Sequence, residues 1–275
     1  MTLRQGPFPP KGERAFVQQR RRMNVAKQNI YDRDVFFENF RQIRENSINF
    51  NDCMETPILL SLLPQVQGKA VLDLGCGMGQ HARQYAAMGA ASVLGIDLSE
   101  KMLAFARTHA SGENIRYQRM AMEELDGLEG TFDLITSSLA FDYVEDLNRL
   151  MASIYGHLKD GAHLVFSMSH PMATAYDGSC DRFTRSETGQ RLYANVCRYM
   201  EEGRRVVPWV VEDYELYHRT FATIVNAITG AGLMIERCEE SKVSDALLSQ
   251  YPDRFGGTVH RPDFVFFRCR KPEKP

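Results

Sequence analysis

Up to residue 29 the chain shows no apolar period; it is polar, basic and broken by proline, which predicts a mobile or loosely docked end. From Tyr31 to Leu63 the pattern turns helical, with Val35, Phe36, Phe40 and Ile43 on one face and Pro57 and Pro64 as punctuation. A regular alternation then begins. Lys69–Leu74 is a short apolar run ending in glycines and reads as a buried strand, and His81–Met88 behind it reads as a helix. Strands follow at Ser92–Ile96, Ile115–Arg119, Phe132–Ser137 and His163–Ser167. Helices lie between them, one running from Ser99, a natural cap, to about His109 and another over Val144–Leu158. This rhythm means parallel β-α-β units with right-handed crossovers and a sheet covered on both faces.

The rhythm breaks over residues 171–214, which are rich in Gly, Arg, Tyr and Ser and too long for a β–α connection, so they predict an inserted cap. A helix over His218–Thr229, stopped by Gly230-Ala231-Gly232, restores the pattern. Leu233–Cys238 and Asp263–Arg270 supply two more strands, with a second insertion over 241–262 between them. The chain thus divides into an N-terminal basic arm and helical cap (1–63), a core (64–170), a substrate cap (171–214) and a C-terminal part of the core (215–275). No internal repeat or low-complexity segment interrupts this order.

Composition changes the picture little. The 275 residues are 44% hydrophobic, which suits one globular domain with insertions. A net charge of −2 recommends no polyanionic partner overall. Residues 1–30 dissent, with seven basic residues (Arg4, Lys11, Arg14, Arg20, Arg21, Arg22, Lys27) against Glu13. They read as a solvated tail or helix face, with a nucleic-acid arm as the alternative. The six cysteines are scattered without a C-x-x-C pair, so no metal is expected. The start lacks a signal-like apolar run, and no stretch is long and apolar enough for a membrane span; the expectation is a cytoplasmic protein with reduced thiols and no membrane contact. Nothing speaks to oligomeric state.

The chemistry concentrates at Val71-Leu72-Asp73-Leu74-Gly75-Cys76-Gly77-Met78-Gly79. A buried strand runs into a tight glycine turn that opens a helix, where the backbone needs conformations a Cβ would obstruct and a ligand can approach the chain itself. In open α/β sheets that is the crevice where ligands bind. A dinucleotide fingerprint requires G-x-G-x-x-G, but the third glycine arrives one position early and Gln80 occupies its place. Asp73 just before the turn disfavours a pyrophosphate and suits a ligand carrying a cation.

These residues resemble the class I S-adenosylmethionine-dependent methyltransferases: Asp73–Gly79 is similar to their first motif and Gly95-Ile96-Asp97-Leu98-Ser99 to their second-strand motif. The likeness covers residues 65–170 well and the last helix and two strands in outline. More loosely it extends to Tyr31–Pro64, Ser169-His170-Pro171 and Tyr217-His218-Arg219-Thr220, as in a bacterial subgroup of small-molecule methyltransferases. It implies a Rossmann-like, seven-stranded, mostly parallel sheet with helices on both faces and the last strand antiparallel, with S-adenosyl-L-methionine as cofactor. Asp97, ending the second strand, would take both ribose hydroxyls, since a carboxylate offers only acceptors; the alternative is a residue complementing a helix dipole. Gly75, Cys76 and Gly77 would pass beneath the methionine moiety. The family's usual acid after the third strand is replaced by Ala121, so backbone groups of Met122 and Glu123 would hold adenine, with Leu98 and Met102 against its faces. The alternative for Met122 and Glu123 is a plain strand-to-helix corner.

Ser138, Leu139 and Tyr143, after the fourth strand, would neighbour the reacting methyl. Relatives often carry His where this chain has Asp142, which weakens a general-base role there. His170 and His218 are then the candidate bases, with ordinary structural histidines as the alternative. Tyr31, Tyr214 and Tyr217 are candidate hydrogen-bonding or cation-stabilising aromatics. Arg44 on a folded-over N-terminal helix could meet the cofactor carboxylate, unless it and Tyr31 belong only to an amphipathic helix. The aromatics of 171–214 suit a flat acceptor, although a lid with its own small core would look the same. The expected activity is methyl transfer to an oxygen or nitrogen of a small molecule, aromatic or heterocyclic. The alternatives are an RNA or tRNA methyltransferase using the basic arm, and a cofactor-binding protein without catalysis.

Overall fold

The computed structural model describes residues 29–274, so the basic arm with Arg4, Lys11, Arg14, Arg20, Arg21, Arg22 and Lys27 lies outside the described residues. The described chain opens with a single turn, Ile30–Asp32, and helix α1 (Asp34–Glu45), whose buried Phe36 faces inward. A wider turn over Asn51–Glu55 leads into α2 (Thr56–Ser61). The core then alternates through β1 (Ala70–Leu74), α3 (Gln80–Ala87), β2 (Ser92–Asp97), α4 (Glu100–His109), β3 (Ile115–Arg119), β4 (Phe132–Ser138), α5 (Leu147–His157) and β5 (Leu158–Ser169). Helix starts follow side-chain chemistry: the Ser99 hydroxyl accepts from Met102 N and the Asp146 carboxylate from Arg149 N, each satisfying a first-turn amide.

A short helix α6 (Pro171–Thr174) turns the chain into two antiparallel hairpins, β6 (Phe183–Arg185) with β7 (Arg191–Ala194), and β8 (Gly203–Val207) with β9 (Tyr214–His218). Helix α7 (Phe221–Gly230) and β10 (Met234–Glu240) return to the core. Helices α8 (Asp245–Gln250) and α9 (Pro252–Phe255) then fill the second insertion before β11 (Phe264–Arg270).

The seven core strands stand in the order β10-β11-β5-β4-β1-β2-β3. The β1–β2, β2–β3, β1–β4 and β4–β5 pairs are parallel, and β11 runs antiparallel to both neighbours. This is the Rossmann-like sheet with an antiparallel last strand that the resemblance implied. Both faces are apolar because alternate residues serve opposite layers. Val71, Val93, Leu134, Val165 and Phe266 pack with Leu59 and Tyr85 on one side. Leu72, Ile135, Leu164 and Phe267 pack with Met151, Ile154 and Ile228 on the other. Each such fully buried side chain contributes roughly 1.5–3 kcal/mol of transfer free energy.

One boundary needs correction. His218 ends β9, paired with Gly203, instead of opening the last core helix, so the division at 214/215 cuts through a hairpin. The helix starts after Thr220, whose hydroxyl accepts from Thr223 N; His218 and Arg219 precede that cap and stay extended.

Candidate active site

At the end of β1, Gly75, Gly77 and Gly79 all have positive φ, which a side chain would strain. A Cβ on Gly75 would collide with Ala140, whereas one on Gly77 would meet no protein atom within 4 Å. The turn is therefore tight below and open above, a floor over which a ligand can lie.

That floor bounds a cavity of about 640 Å³, within the roughly 300–1,000 Å³ of small-molecule sites. Gly75, Cys76 and Gly77 form its base, and Asp97, Leu98 and Met102 one side. Met122 and Glu123 follow, with Ala121 beside them. Ser138 and Tyr143 line it from the end of β4 and the turn beyond, and Tyr31 and Arg44 cover it from the N-terminal segment. The Asp97 carboxylate accepts from Gly77 N (2.9 Å) and Ser99 N (2.8 Å), leaving acceptor capacity on both oxygens. Burial raises its pKa, and those two amides oppose the rise.

Asp73 is placed differently. It does not line the cavity but lies buried behind the turn, with Oδ1 accepting from Thr136 Oγ1 (3.1 Å) and Oδ2 without a hydrogen-bond partner among the described residues. Burial pushes its pKa up to about 7.

The roof is held by contacts remote in sequence. Asp32 accepts from Ser99 Oγ (2.6 Å) and Lys101 N (3.0 Å), docking the N-terminal segment on the positive end of α4. Beside it the hydroxyls of Tyr31, Tyr143 and Tyr214 form a chain of 2.7 and 2.8 Å hydrogen bonds, and burial raises all three phenol pKa values. Arg44 donates to Gln80 Oε1 at the start of α3 and lies 3.3 Å from Asp52 Oδ1, which brings its guanidinium beside the glycine turn. Apolar walls at Leu98, Met102 and Met122, spare acceptors on Asp97 and a cation at Arg44 fit a nucleoside joined to an amino acid.

Neither candidate histidine lines the cavity, and both rings are committed. His170 caps α6, with Nδ1 accepting from Met172 N, so Nε2 carries the proton it donates to Glu240 Oε1 (3.1 Å). His218 donates from Nε2 to the Tyr199 carbonyl (2.9 Å) and accepts at Nδ1 from Thr174 (2.7 Å). Burial lowers the pKa of both. The displacement has a simple cause: one side chain turns toward β10, and the other belongs to a strand of the cap.

Other buried polar residues stand at the cavity (Asp142, His81) or just behind it (Glu55). Asp142, only 2% exposed, accepts from Ser169 N with Oδ2 (2.9 Å), while Oδ1 has no hydrogen-bond partner among the described residues. Burial raises its pKa and the Arg219 charge opposes this. Glu55, fully buried, accepts from Ser138 Oγ (2.9 Å) and Ser167 Oγ (2.6 Å), tying the N-terminal segment to the ends of β4 and β5. His81 lines the cavity with Nε2 3.8 Å from Glu55. Buried, mutually distant partners of this kind leave no local pattern; for Asp142 the signal was present as a polar residue in an otherwise apolar turn.

The family model described as a methyltransferase domain matches residues 71–161. An uncharacterized protein of Haemophilus influenzae is 39% identical over 90% of this chain and 99% of its own. The crystal structure of an S-adenosylmethionine-dependent methyltransferase from Mesorhizobium loti has 37% identity and a TM-score of 0.71, covering 78% of this chain and 97% of that one. A trans-aconitate 2-methyltransferase of Deinococcus radiodurans is 33% identical over 50% of this chain and 58% of its own length.

Proposed function

The chain belongs to the S-adenosylmethionine-dependent methyltransferases, and from that premise we propose that its cavity transfers the methyl group to an oxygen or nitrogen of a small aromatic or heterocyclic molecule entering beneath the cap. The observation that carries this reading is the continuity of the cavity. The same space that touches Gly77 and Asp97 runs to Tyr143, Trp209, Tyr214 and Tyr217 on the cap side. The acceptor in the name of the Deinococcus relative is a small molecule, which supports the size of the acceptor and, being acyclic, not its aromatic character.

S-Adenosylmethionine, when bound, supplies a methyl group already activated on a sulfonium. The protein's work is then to align the acceptor and exclude water. Asp97 would take the ribose hydroxyls, Leu98 and Met102 would flank adenine, and Arg44 would meet the carboxylate. Asp73, buried behind the turn with its pKa pushed up to about 7, would be drawn toward its ionised form by a cationic ligand above the turn. Tyr143 stands beside the acceptor, and its hydroxyl is held by Tyr31 and Tyr214. With the rings of His170 and His218 occupied, Asp142 Oδ1 is the group suited to accept the acceptor's proton.

Calorimetry tests the cofactor half of the reading. A 1:1 complex with S-adenosylmethionine is expected, and tighter binding of NAD would overturn it. Asp97→Ala removes charge-assisted hydrogen bonds and should weaken the complex by roughly 1.5–3 kcal/mol; unchanged affinity would move the ribose contact elsewhere.

A further inference from the structure

Arg261 is only 7% exposed, yet among the described residues it donates no hydrogen bond. Its buried Nη1 has no hydrogen-bond partner and is only ion-paired, 3.2 Å from Asp263 Oδ1. The planar face is covered by the Phe183 ring, 5.4 Å away. A guanidinium has five N–H donors, and leaving a buried one such as Nη1 unused is costly. Arg182 stands near it, half-buried, with its guanidinium 4.0 Å over the Tyr176 ring and a single hydrogen bond, from Nη1 to the Ala173 carbonyl (3.3 Å). Burial lowers the proton affinity of both guanidiniums, Arg182 lowers that of Arg261 further, and the single Asp263 carboxylate opposes the fall in each.

Arg182, Arg261 and Asp263 all line the cavity, at the end away from the glycine turn. β11 lies three strands from β1, roughly 14 Å at about 4.8 Å per strand, so this end is reached by an acceptor molecule and not by the adenosyl group. Arg182 comes from the first insertion and Arg261 from the second, so neither belongs to the alternating core.

We propose that Arg182 and Arg261 form an anchoring site for a carboxylate group of the methyl acceptor. The inference rests on the methyl-transfer reading of the same cavity and narrows its substrate class to organic acids. Two guanidinium forks suit a planar carboxylate, which can take paired N–H donors. A phosphate dianion would set a second negative charge beside Asp263, which favours the singly charged group.

The test is a thermal-shift titration in the presence of S-adenosylhomocysteine, using 3- and 4-hydroxybenzoate, their amides, and inorganic phosphate. The acids should stabilise the wild type, and the amides and phosphate should not. Arg261→Gln should weaken the acid response roughly 10- to 100-fold, while calorimetric affinity for S-adenosylhomocysteine stays unchanged. If Arg261→Gln does not fold, Arg182→Gln carries the same expectation. Acids and amides acting alike, no response to the acids, a response to phosphate alone, or an undiminished response in the folded variant would each overturn the anchor. A wild type that binds no S-adenosylhomocysteine would instead overturn the methyl-transfer reading.

Discussion

Asp142 joins sequence, burial and chemistry at one residue. The residue borders the cavity, its buried Oδ1 has no hydrogen-bond partner among the described residues, and burial raises its pKa above the ordinary carboxylate value. A base must be ionised to accept a proton, so the rate should rise with pH through that raised pKa and flatten above it. Asp142→Asn should abolish this acid limb and lower kcat by roughly 10²–10⁴, the usual worth of a positioned base. Stability provides the control: because the raised pKa favours the folded state only while Asp142 is protonated, that contribution is lost as pH rises, and the neutral variant should be no less stable than the wild type at pH 7. If the pH profile keeps its shape in Asp142→Asn, the acceptor arrives already deprotonated. The residues of the glycine turn and Asp97 were legible because a backbone-approach site dictates residue types at fixed spacing. Asp73 was legible as a charge but not as a buried one; its depth depends on Thr136 from a neighbouring strand. Asp32, Glu55, Arg182 and Arg261 were invisible, since each acquires its role from a group far along the chain: Ser99, Ser167, Asp263 and Phe183 respectively.

At the scale of elements, the alternation of strand and helix was readable because each core strand carries its own apolar period. The cap was readable only as an interruption. Its two hairpins expose apolar residues (Leu192, Tyr193, Val206) beside Arg185 and Arg204, so no in–out period marks them, and the chain switches to α7 at a Thr cap, a boundary that periodicity alone put at His218. Trp209, in the loop of the second hairpin and the chain's one tryptophan, is 51% exposed and packs 6.0 Å from Phe36 and 6.1 Å from Phe40 of α1. It also lies 4.8 Å from Tyr214. The hairpin and α1 thus meet over the cavity through one fluorophore. Saturating cofactor should bury that ring further and shift its emission to the blue, with Phe40→Ala reducing the shift. Emission that stays constant through saturation would mean that the hairpin and α1 do not respond to the cofactor.

For the whole molecule, three stretches of chain share one cavity: the N-terminal segment through Tyr31 and Arg44, the sheet edge through Gly77 and Asp97, and the insertions through Tyr214 and Arg261. Only the second stands on a continuous hydrophobic core. The other two are held by side-chain hydrogen bonds such as Asp32 to Ser99 and Tyr214 to Tyr143, and segments held this way open locally before the core does. Ligand that binds only the assembled cavity must therefore stabilise all three together. At a hundredfold excess over Kd it should add about 2.7 kcal/mol to the unfolding free energy. Hydrogen exchange shows where that stabilisation falls. Protection is expected over residues 30–55 and 203–218 as well as at the glycine turn, increasing again in the cap when an organic acid joins S-adenosylhomocysteine. Protection confined to the turn and the strand ends would mean that the cap and N-terminal segment stay as they are when the site fills. The acceptor would then have to be selected by a preformed wall.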